Sequence, residues 1–354
     1  MDELITAGPP MLPRPSTRRV RVSRRAEEPE EPPEEPTLPS MLFFLWHTED
    51  LTVTATKTGT GDSLTKSTSQ ALLTDAAAGL SAEVLGQLVT VTGAGNANNN
   101  GTYPINVYTS PTQMQWLNAA CVTEGSFPGT WRTQGKATQW IDQEHGRIFA
   151  NPSTAALSVR ELNGKQYPCT PGVALNPHNT RLTWDDIATI GTALNGHTDI
   201  SIAARLRVDT YSSVINIVAF ADNTGGTSPT NTLTLQMSSA SIAMLRSQSG
   251  QANMFAQFTG WTPPNGVMRT LAGRYTASTR IAQFFMDGVY IGESPVQAAA
   301  RSVANLRYAH IGGYSSFIGA QSANYFAGAC AGPAAWTDAQ MLAVHEEFLA
   351  REAA

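Results

Sequence analysis

The chain has 354 residues, a formal net charge of −5 and a charged fraction of only 14%. This acidic balance excludes a protein that binds nucleic acid over its whole surface, because such proteins present basic patches. Its 42% of hydrophobic residues is enough for a packed core. The scarcity of charge favours strands joined by polar turns over surface helices, which are rich in Glu and Lys.

The three cysteines, Cys121, Cys169 and Cys330, are scattered and form no C-x-x-C pair. An odd number at such spacings argues against a disulfide framework, so we expect buried free thiols. The first residues, MDELITAGPP, lack the apolar core of a secretory signal, and the nearby run MLFFLW is too short to span a bilayer. We therefore expect neither a cleaved signal nor a membrane partner.

Residues 1–40 differ in composition from the rest of the chain. They hold nine of the 21 prolines, and six arginines there precede six glutamates. Such a segment cannot bury enough apolar surface to offset its ordering entropy, so we expect an extended arm that docks on a partner. The predicted anchoring residues are Arg18, Arg19, Arg21, Arg24 and Arg25. A contact of these arginines with DNA is the alternative, and the neighbouring glutamates argue against it.

Residues 41–50 contain the apolar run LFFLW. This run is either a linker that inserts into a partner or the first strand of the larger domain, and we favour the strand.

Residues 51–134 are predicted to form a small β module, because LTVTATKTG and QLVTVT alternate as half-buried strands do. The loop GAGNANNNGTY departs from the dinucleotide-binding fingerprint, since Asn98 stands where its third glycine belongs. We interpret it as a wide hairpin loop whose Gly and Asn residues tolerate left-handed backbone. The pattern GAGN…NNGTY resembles small immunoglobulin-like modules of bacteriophage tail and fibre proteins.

Residues 135–354 alternate strand-like runs with turn residues at short intervals, which favours an all-β sandwich. One helix is predicted, at the end, in TDAQMLAVHEEFLAREAA, with Thr337 as its N-cap. Its apolar stripe is expected to comprise Met341, Leu342, His345, Phe348 and Leu349.

The stretch QFFMDGVYIGE predicts a hairpin, because Asp287-Gly288 between apolar runs suits a type I′ turn with positive φ at both central residues. Period-2 geometry then places Phe284 and Phe285 on opposite faces of the sheet.

Three segments in this order carry a family resemblance: RTLAGRYTASTRIAQFFMDGVYIGES, NLRYAHIGGYSS and YFAGACAGPAAWTDAQMLAVHE. Together they resemble the concanavalin A-like, laminin-G-type jelly roll over residues 199–348. One departure is Arg269-Thr270-Leu271, where many members carry a Trp-His pair. These motifs are structural, so the resemblance implies a fold rather than an activity.

Catalytic and metal-binding patterns are missing from the sequence. The carboxylates of sandwich glycosidases alternate as ExDxxE, whereas Asp185 and Asp186 are adjacent and would point to opposite faces of a strand. The histidines show no metal-ligand spacing. We therefore expect a non-enzyme without a cofactor. The resemblance leaves calcium as a candidate, and the oxygen ligands considered for it are Asp199, Asp222 and Asn223.

Glycan binding is the sharper hypothesis for the predicted sandwich. Lectin sites combine an aromatic platform with loop amides, and the candidates here are Trp261, Asn265 and Tyr314. Packing of the two aromatic residues in the core or at its rim is the alternative.

These features together predict a structural protein of a bacteriophage virion, without enzymatic activity. Its arm would anchor it to other virion proteins, and its sandwich would face outward, with a host glycan as a further partner and homo-oligomers expected. A tail or fibre position is preferred over decoration of the capsid. The alternative is a carbohydrate-binding module of a bacterial cell-surface protein.

Overall fold

The structure is a computed structural model, and it describes residues 37–48, 51–142, 144–150, 157–171, 181–196, 199–209, 214–222, 231–247, 254–262, 265–298, 304–312 and 323–354. The predicted anchoring arginines, Tyr314 and Asn223 lie outside the described residues.

Strands dominate the part of the chain that is described. In chain order they are β1 (Phe43–Trp46), β2 (Leu51–Val53), β3 (Thr58–Gly59), β4 (Ser63–Ser67), β5 (Gln70–Thr74), β6 (Leu88–Thr92), β7 (Gly101–Ser110), β8 (Gln113–Leu117), β9 (Thr130–Thr133), β10 (Lys136–Ile141), β11 (Ile148–Ala150), β12 (Leu157–Leu162), β13 (Lys165–Pro171), β14 (Arg181–Asp185), β15 (Ile200–Val208), β16 (Ile215–Ala221), β17 (Thr232–Ser238), β18 (Ser241–Ser247), β19 (Met254–Thr259), β20 (Met268–Thr276), β21 (Ile281–Met286), β22 (Val289–Glu293), β23 (Tyr308–Gly312) and β24 (Ala323–Gly332). The helices are α1 (Ile187–Leu194) and α2 (Asp338–Ala353), and short 3-10 turns lie at Ala82–Val84 and Ala97–Asn99. No helix within the described ranges is long and apolar enough to cross a membrane.

Strands β3 to β9 form the predicted small module, in the order β3-β9-β6-β7-β8-β5-β4. The long strand β7 joins its two halves, since residues 101–104 pair with β6 and residues 105–110 pair with β8. Both halves direct apolar side chains into one core, so the sheet curves around it. The module is shorter than predicted at its N-terminal end, because β2 pairs with β10 of the larger domain.

The remaining strands build a sandwich of two antiparallel sheets. The front sheet has the order β22-β21-β20-β15-β24, and β1 and β13 share the far side of β24. The back sheet has the order β14-β23-β16-β17-β18-β19. Strands β10 to β12 link the sheets along one side. The predicted all-β fold with a β-sandwich is confirmed.

Strand β1 settles the role of the run LFFLW. All four of its residues are buried, and it pairs antiparallel with β24. The run is therefore a sandwich strand, as favoured from the sequence, and the module is inserted between β2 and β10. Both parts belong to one compact unit, Pro36–Ala354.

The front sheet packs against a core on each face, and two adjacent phenylalanines of β21 divide between these cores. Phe284 belongs to the core between the sheets, whereas Phe285 belongs to a second core under α2 that includes Trp336 and Phe348. The turn that follows has φ of +51° at Asp287 and +77° at Gly288. The predicted hairpin and the split of the phenylalanines are both confirmed.

Helix α2 begins with a capping box. The Thr337 hydroxyl accepts a hydrogen bond from the Gln340 amide at 3.2 Å, and the Gln340 side chain accepts one from the Thr337 amide at 2.9 Å. The predicted stripe is partly wrong, because Leu342 and Leu349 are 38% and 41% exposed. Both stripes have spacings of three and four residues, but the buried face is rotated toward Val344, which packs with Met341 and Phe348 in one core. Its buried members are Met341, Ala343, Val344 and Phe348.

Helix α1 was not predicted. Asp186 caps it, since the side chain accepts a hydrogen bond from the Thr189 amide at 2.9 Å. Its β-branched Ile and Thr residues and its central Gly191 favour a strand or a turn, but Ile190 and Leu194 are buried against the sandwich core. Tertiary packing therefore overrides a weak local preference.

Candidate functional site

The loop between β19 and β20 carries two of the predicted glycan residues. Trp261 is half-buried and packs against the core between the sheets, whereas Asn265 is exposed. The Gly266 amide donates to the Val208 carbonyl at 2.8 Å, which fixes the loop to the end of β15. Packing explains Trp261 at least partly, and its role toward a glycan stays a prediction.

Two of the three candidate calcium ligands, Asp199 and Asp222, form hydrogen bonds within the protein. The Asp199 carboxylate accepts a hydrogen bond from the Ala277 amide at 2.7 Å. The Asp222 carboxylate accepts bonds from the amide and side chain of Asn231 at 3.0 and 2.8 Å. Within the described ranges, no three His, Cys, Asp or Glu side chains are grouped so that they could hold a metal ion.

The adjacent carboxylates of Asp185 and Asp186 both have structural roles. Asp185 forms a two-point ion pair with Arg307 at 2.7 and 3.0 Å. Asp186 caps α1, and bonds from the Thr189 side chain and backbone lower the pKa of its carboxyl.

The asparagine-rich loop of the module binds a carboxylate of its own chain. The amides of Gly95 and Asn96 each donate to Glu124 at 2.9 Å, and the Asn99 side chain donates at 2.5 Å. Burial raises the pKa of Glu124, but the three donors together hold it below its usual range. In phosphate-binding loops, backbone amides of this kind bind the anion of a ligand. In this loop they bind the Glu124 carboxylate of the same chain. The predicted wide hairpin loop between β6 and β7 is confirmed, but left-handed backbone occurs in it at Gly93, with φ of +71°, and at none of its asparagines.

Strands of the back sheet carry buried polar side chains. The Thr183 hydroxyl and His310 Nδ1 lie 2.9 Å apart, and both residues are buried. Thr234 and Gln236 on the same sheet are buried as well. These four side chains are therefore not exposed to solvent.

An open groove of about 760 Å³ lies between the module and strand β12 of the sandwich. We call it the threonine groove, because six threonines line it. Its lining residues are Thr58, Gly59, Thr60, Thr90, Thr92, Thr102, Thr130, Trp131, Arg132, Gln134, Arg160, Glu161 and Leu162.

Strand register places the threonines in rows on one face of the module sheet. Thr90 on β6 is paired with Thr102 on β7, and their hydroxyls lie 3.0 Å apart. Thr92 is paired with Thr130 on β9 in the same way, with their hydroxyls 2.9 Å apart. The opposite face of β9 points inward: Trp131 is buried, and its indole donates to Asp75 at 2.8 Å. The threonines thus present hydroxyls and short methyl groups on the open face.

Two arginines line the groove. The side chain of Arg132 is 52% exposed and approaches Glu161 at 3.4 Å, from Nη1 to Oε2. Arg160 on β12 is held more firmly: its guanidinium lies 5.1 Å from the centre of the Tyr325 ring, donates to the Tyr325 hydroxyl and approaches Asp209 at 3.7 Å. Burial raises the pKa of Tyr325 well above its usual range, so this hydroxyl stays protonated.

Hydrogen bonds across the seam fix the shape of the groove. The Gln134 side chain donates to the Thr90 hydroxyl at 2.6 Å and accepts from the Glu161 amide at 3.2 Å. Farther along, the Ser158 hydroxyl donates to the Gly86 carbonyl, and the Val159 amide donates to the Gly135 carbonyl at 3.3 Å. The groove is therefore preformed, and a ligand could bind without a rearrangement of module and sandwich.

Sequence reasoning missed this groove, because β3, β6, β9 and β12 are far apart in the chain. The signal that could have found it is the spacing T-x-T in Thr58–Thr60 and Thr90–Thr92, which places both hydroxyls of a pair on one face of a strand.

No family model and no curated protein sequence matches the chain. Solved structures are similar over part of it. The IT-sialidase CBM40 of Ruminococcus gnavus, bound to α2,3-sialyllactose, has 14% identity over 43% of this chain and 83% of its own, with a TM-score of 0.35. The binding domain of botulinum neurotoxin serotype G has 9% identity over 59% of this chain and 48% of its own, with a TM-score of 0.43. The sialidase of Trypanosoma rangeli has 10% identity over 61% of this chain and 31% of its own, with a TM-score of 0.38.

The chain thus spans about half of the toxin domain and about a third of the trypanosomal sialidase. At these identities and TM-scores the similarities carry no argument about a ligand. The fold assignment rests on the strand pairing of this chain itself.

Proposed function

We propose that this chain is a non-catalytic carbohydrate-binding protein and that it holds a glycan in the threonine groove. The observation that carries the proposal is the lining of that groove: hydroxyls, one amide and two guanidinium groups on a support fixed by hydrogen bonds. Sugar hydroxyls both donate and accept hydrogen bonds. Threonine hydroxyls and a glutamine amide can do the same, so they can pair with either role of a sugar hydroxyl.

The same lining supports the absence of catalysis. Hydrolysis of a glycosidic bond ordinarily needs two carboxylates on either side of the bond. Among the described residues that line the groove, Glu161 is the sole carboxylate. The groove can therefore hold a sugar chain but lacks the pair of groups that would cleave it.

A glycan array followed by titration calorimetry on the full chain tests this proposal. Thr130→Trp fills the groove from an exposed position and should lower the affinity at least tenfold, whereas Thr65→Trp, on exposed β4 away from the groove, should not. If Trp261→Ala abolishes binding while Thr130→Trp leaves it intact, the site is the β19–β20 loop and the groove assignment is wrong. Release of reducing ends from any bound polysaccharide would contradict the non-catalytic role.

A second candidate function is that of a bacteriophage virion structural protein. The observation that favours it is the composition of residues 1–40, with nine prolines and opposed blocks of arginine and glutamate. Residues 37–354 expressed alone should then fold and melt cooperatively but fail to join particles. Normal occupancy of the truncated chain on particles would exclude an anchoring role for the arm.

A further inference from the structure

We infer that the threonine groove selects acidic glycans, that is, sugars bearing a carboxylate or sulfate, and that Arg132 is their anion contact. This inference rests on the proposed function and names its ligand class.

None of the described residues that line the groove offers a neutral sugar an exposed aromatic ring. Tyrosine and tryptophan rings supply most of the buried area when a sugar ring stacks on protein. The aromatic residue in the lining, Trp131, is 1% exposed, and its indole points to Asp75 inside the module. A ligand in the groove must therefore be held through polar contacts, and these are strongest when one partner is charged.

Arg132 lies where such a contact can form. In the register of the sheet it is paired with Thr58 on β3 and with Thr90 on β6. Neighbouring strands lie about 4.8 Å apart, so a threonine stands beside Arg132 on each side of its strand. A planar guanidinium binds a carboxylate or sulfate through two parallel hydrogen bonds, and the flanking hydroxyls can reach the adjacent ring substituents.

The internal partner of Arg132 is weakly held. Its contact with Glu161 is 3.4 Å long, and the two side chains are 52% and 42% exposed. An exposed ion pair of this kind contributes little, about 0–1 kcal/mol, so an acidic ligand can displace Glu161. Arg160 also lines the groove, but its guanidinium is held by Tyr325 and Asp209, so Arg132 is the more available of the two arginines.

The test uses the full chain and pairs of oligosaccharides that differ only in the acidic group. We expect an oligouronate to bind at least tenfold more tightly than its methyl ester, and this preference to weaken as salt rises. A sulfated oligosaccharide beside its desulfated form separates sulfate from carboxylate recognition, and preference in either pair supports the inference.

Three variants assign the preference to Arg132. Arg132→Ala should abolish the acid preference, and Arg132→Lys should recover only part of it, because an ammonium group cannot bind in two-point fashion. Glu161→Gln should strengthen acidic binding several-fold by removing the competing carboxylate, an increase that a merely structural role would not produce. Arg307→Ala, which breaks an ion pair of similar exposure on the back sheet, is the matched control and should change nothing.

The outcomes separate the two proposals. Equal affinity for an acidic glycan and its neutral form, still blocked by Thr130→Trp, overturns acid selectivity and leaves the groove as a glycan site. Acid preference that survives Arg132→Ala overturns the assignment of the anion contact. Binding of no glycan at all overturns the proposed function and this inference with it.

Discussion

Two hairpins of the sandwich have nearly the same turn and very different surroundings. Asn163-Gly164 joins β12 to β13 with φ of +52° and +76°, and Asp287-Gly288 joins β21 to β22 with φ of +51° and +77°. A Cβ at Gly164 would have open space, whereas a Cβ at Gly288 would lie 2.8 Å from Leu342 Cδ1 and 3.0 Å from Leu342 Cα on α2. Local sequence therefore specifies both turns, but tertiary packing decides how much each turn matters for stability.

The largest effect is expected from valine at the two glycines. Gly288→Val should lower the free energy of unfolding by about 3 kcal/mol or more, because the strain of positive φ adds to overpacking against α2. Gly164→Val suffers the strain alone and should lose about 1–2 kcal/mol. Urea unfolding of both variants measures the difference. Equal losses of unfolding free energy would show that α2 can move away from the new side chain without destabilising the protein.

The first residues of the turns differ in the same way. The Asp287 carboxylate accepts from the Thr270 amide at 2.9 Å and from Arg269 at 2.6 Å, whereas Asn163 is exposed. Reciprocal substitutions separate turn propensity from these contacts, since Asn and Asp both tolerate left-handed backbone.

Asp287→Asn should therefore lower the free energy of unfolding by about 1–2 kcal/mol, because the charge-assisted bonds are lost while the turn conformation is kept. Asn163→Asp should change it by less than about 0.5 kcal/mol. Thermal and urea unfolding of the pair check this, and a loss at Asn163→Asp as large as that at Asp287→Asn would point to the turn itself.

These elements show what the sequence could predict. The Asp287-Gly288 hairpin and the opposite faces of Phe284 and Phe285 follow from turn chemistry and period-2 geometry, which are local. The Asn163-Gly164 hairpin obeys the same rule but was not predicted, although the signal is in the sequence.

Other features depend on contacts that no local pattern carries. Helix α1 forms because Ile190 and Leu194 are buried in the sandwich core. The rotation of α2 that exposes Leu342 follows from packing of Phe348 against Phe44, with ring centres 5.0 Å apart. The threonine groove needs the seam between two domains, so its residues come together only in the folded chain.

The loop between β6 and β7 can be compared with the Asp287 turn, because a carboxylate accepts hydrogen bonds from backbone amides in both. Glu124 accepts from the amides of Gly95 and Asn96, and its pKa lies below the usual value of 4.5. A carboxyl with a lowered folded-state pKa stabilises the protein above its unfolded-state pKa, and this contribution is lost as the pH falls through the folded-state value.

Glu124→Gln should therefore lower the free energy of unfolding by about 1 kcal/mol at pH 7, since hydrogen bonds to a charged group are weakened. The difference from the unsubstituted chain should hold down to about pH 5 and shrink below about pH 4.5. Urea unfolding at several pH values measures it. A difference that persists undiminished at pH 3 would show that the charge of Glu124 is not what holds the loop.

The smallest effect is the coupling between Gly288 and Leu342. Leu342 is 38% exposed, so Leu342→Ala alone should lower the free energy of unfolding by less than about 1 kcal/mol. It removes the Cδ1 atom that a Cβ at position 288 would meet at 2.8 Å, but it leaves the Cα atom at 3.0 Å in place. Gly288→Ala should therefore be partly rescued in the Leu342→Ala background, with a coupling energy of about 0.5–1 kcal/mol.

The same cycle with Gly164→Ala should show no coupling, because that turn has open space around it. Full additivity at Gly288 would mean that the cost there comes from the backbone conformation and the α2 backbone rather than from the leucine side chain.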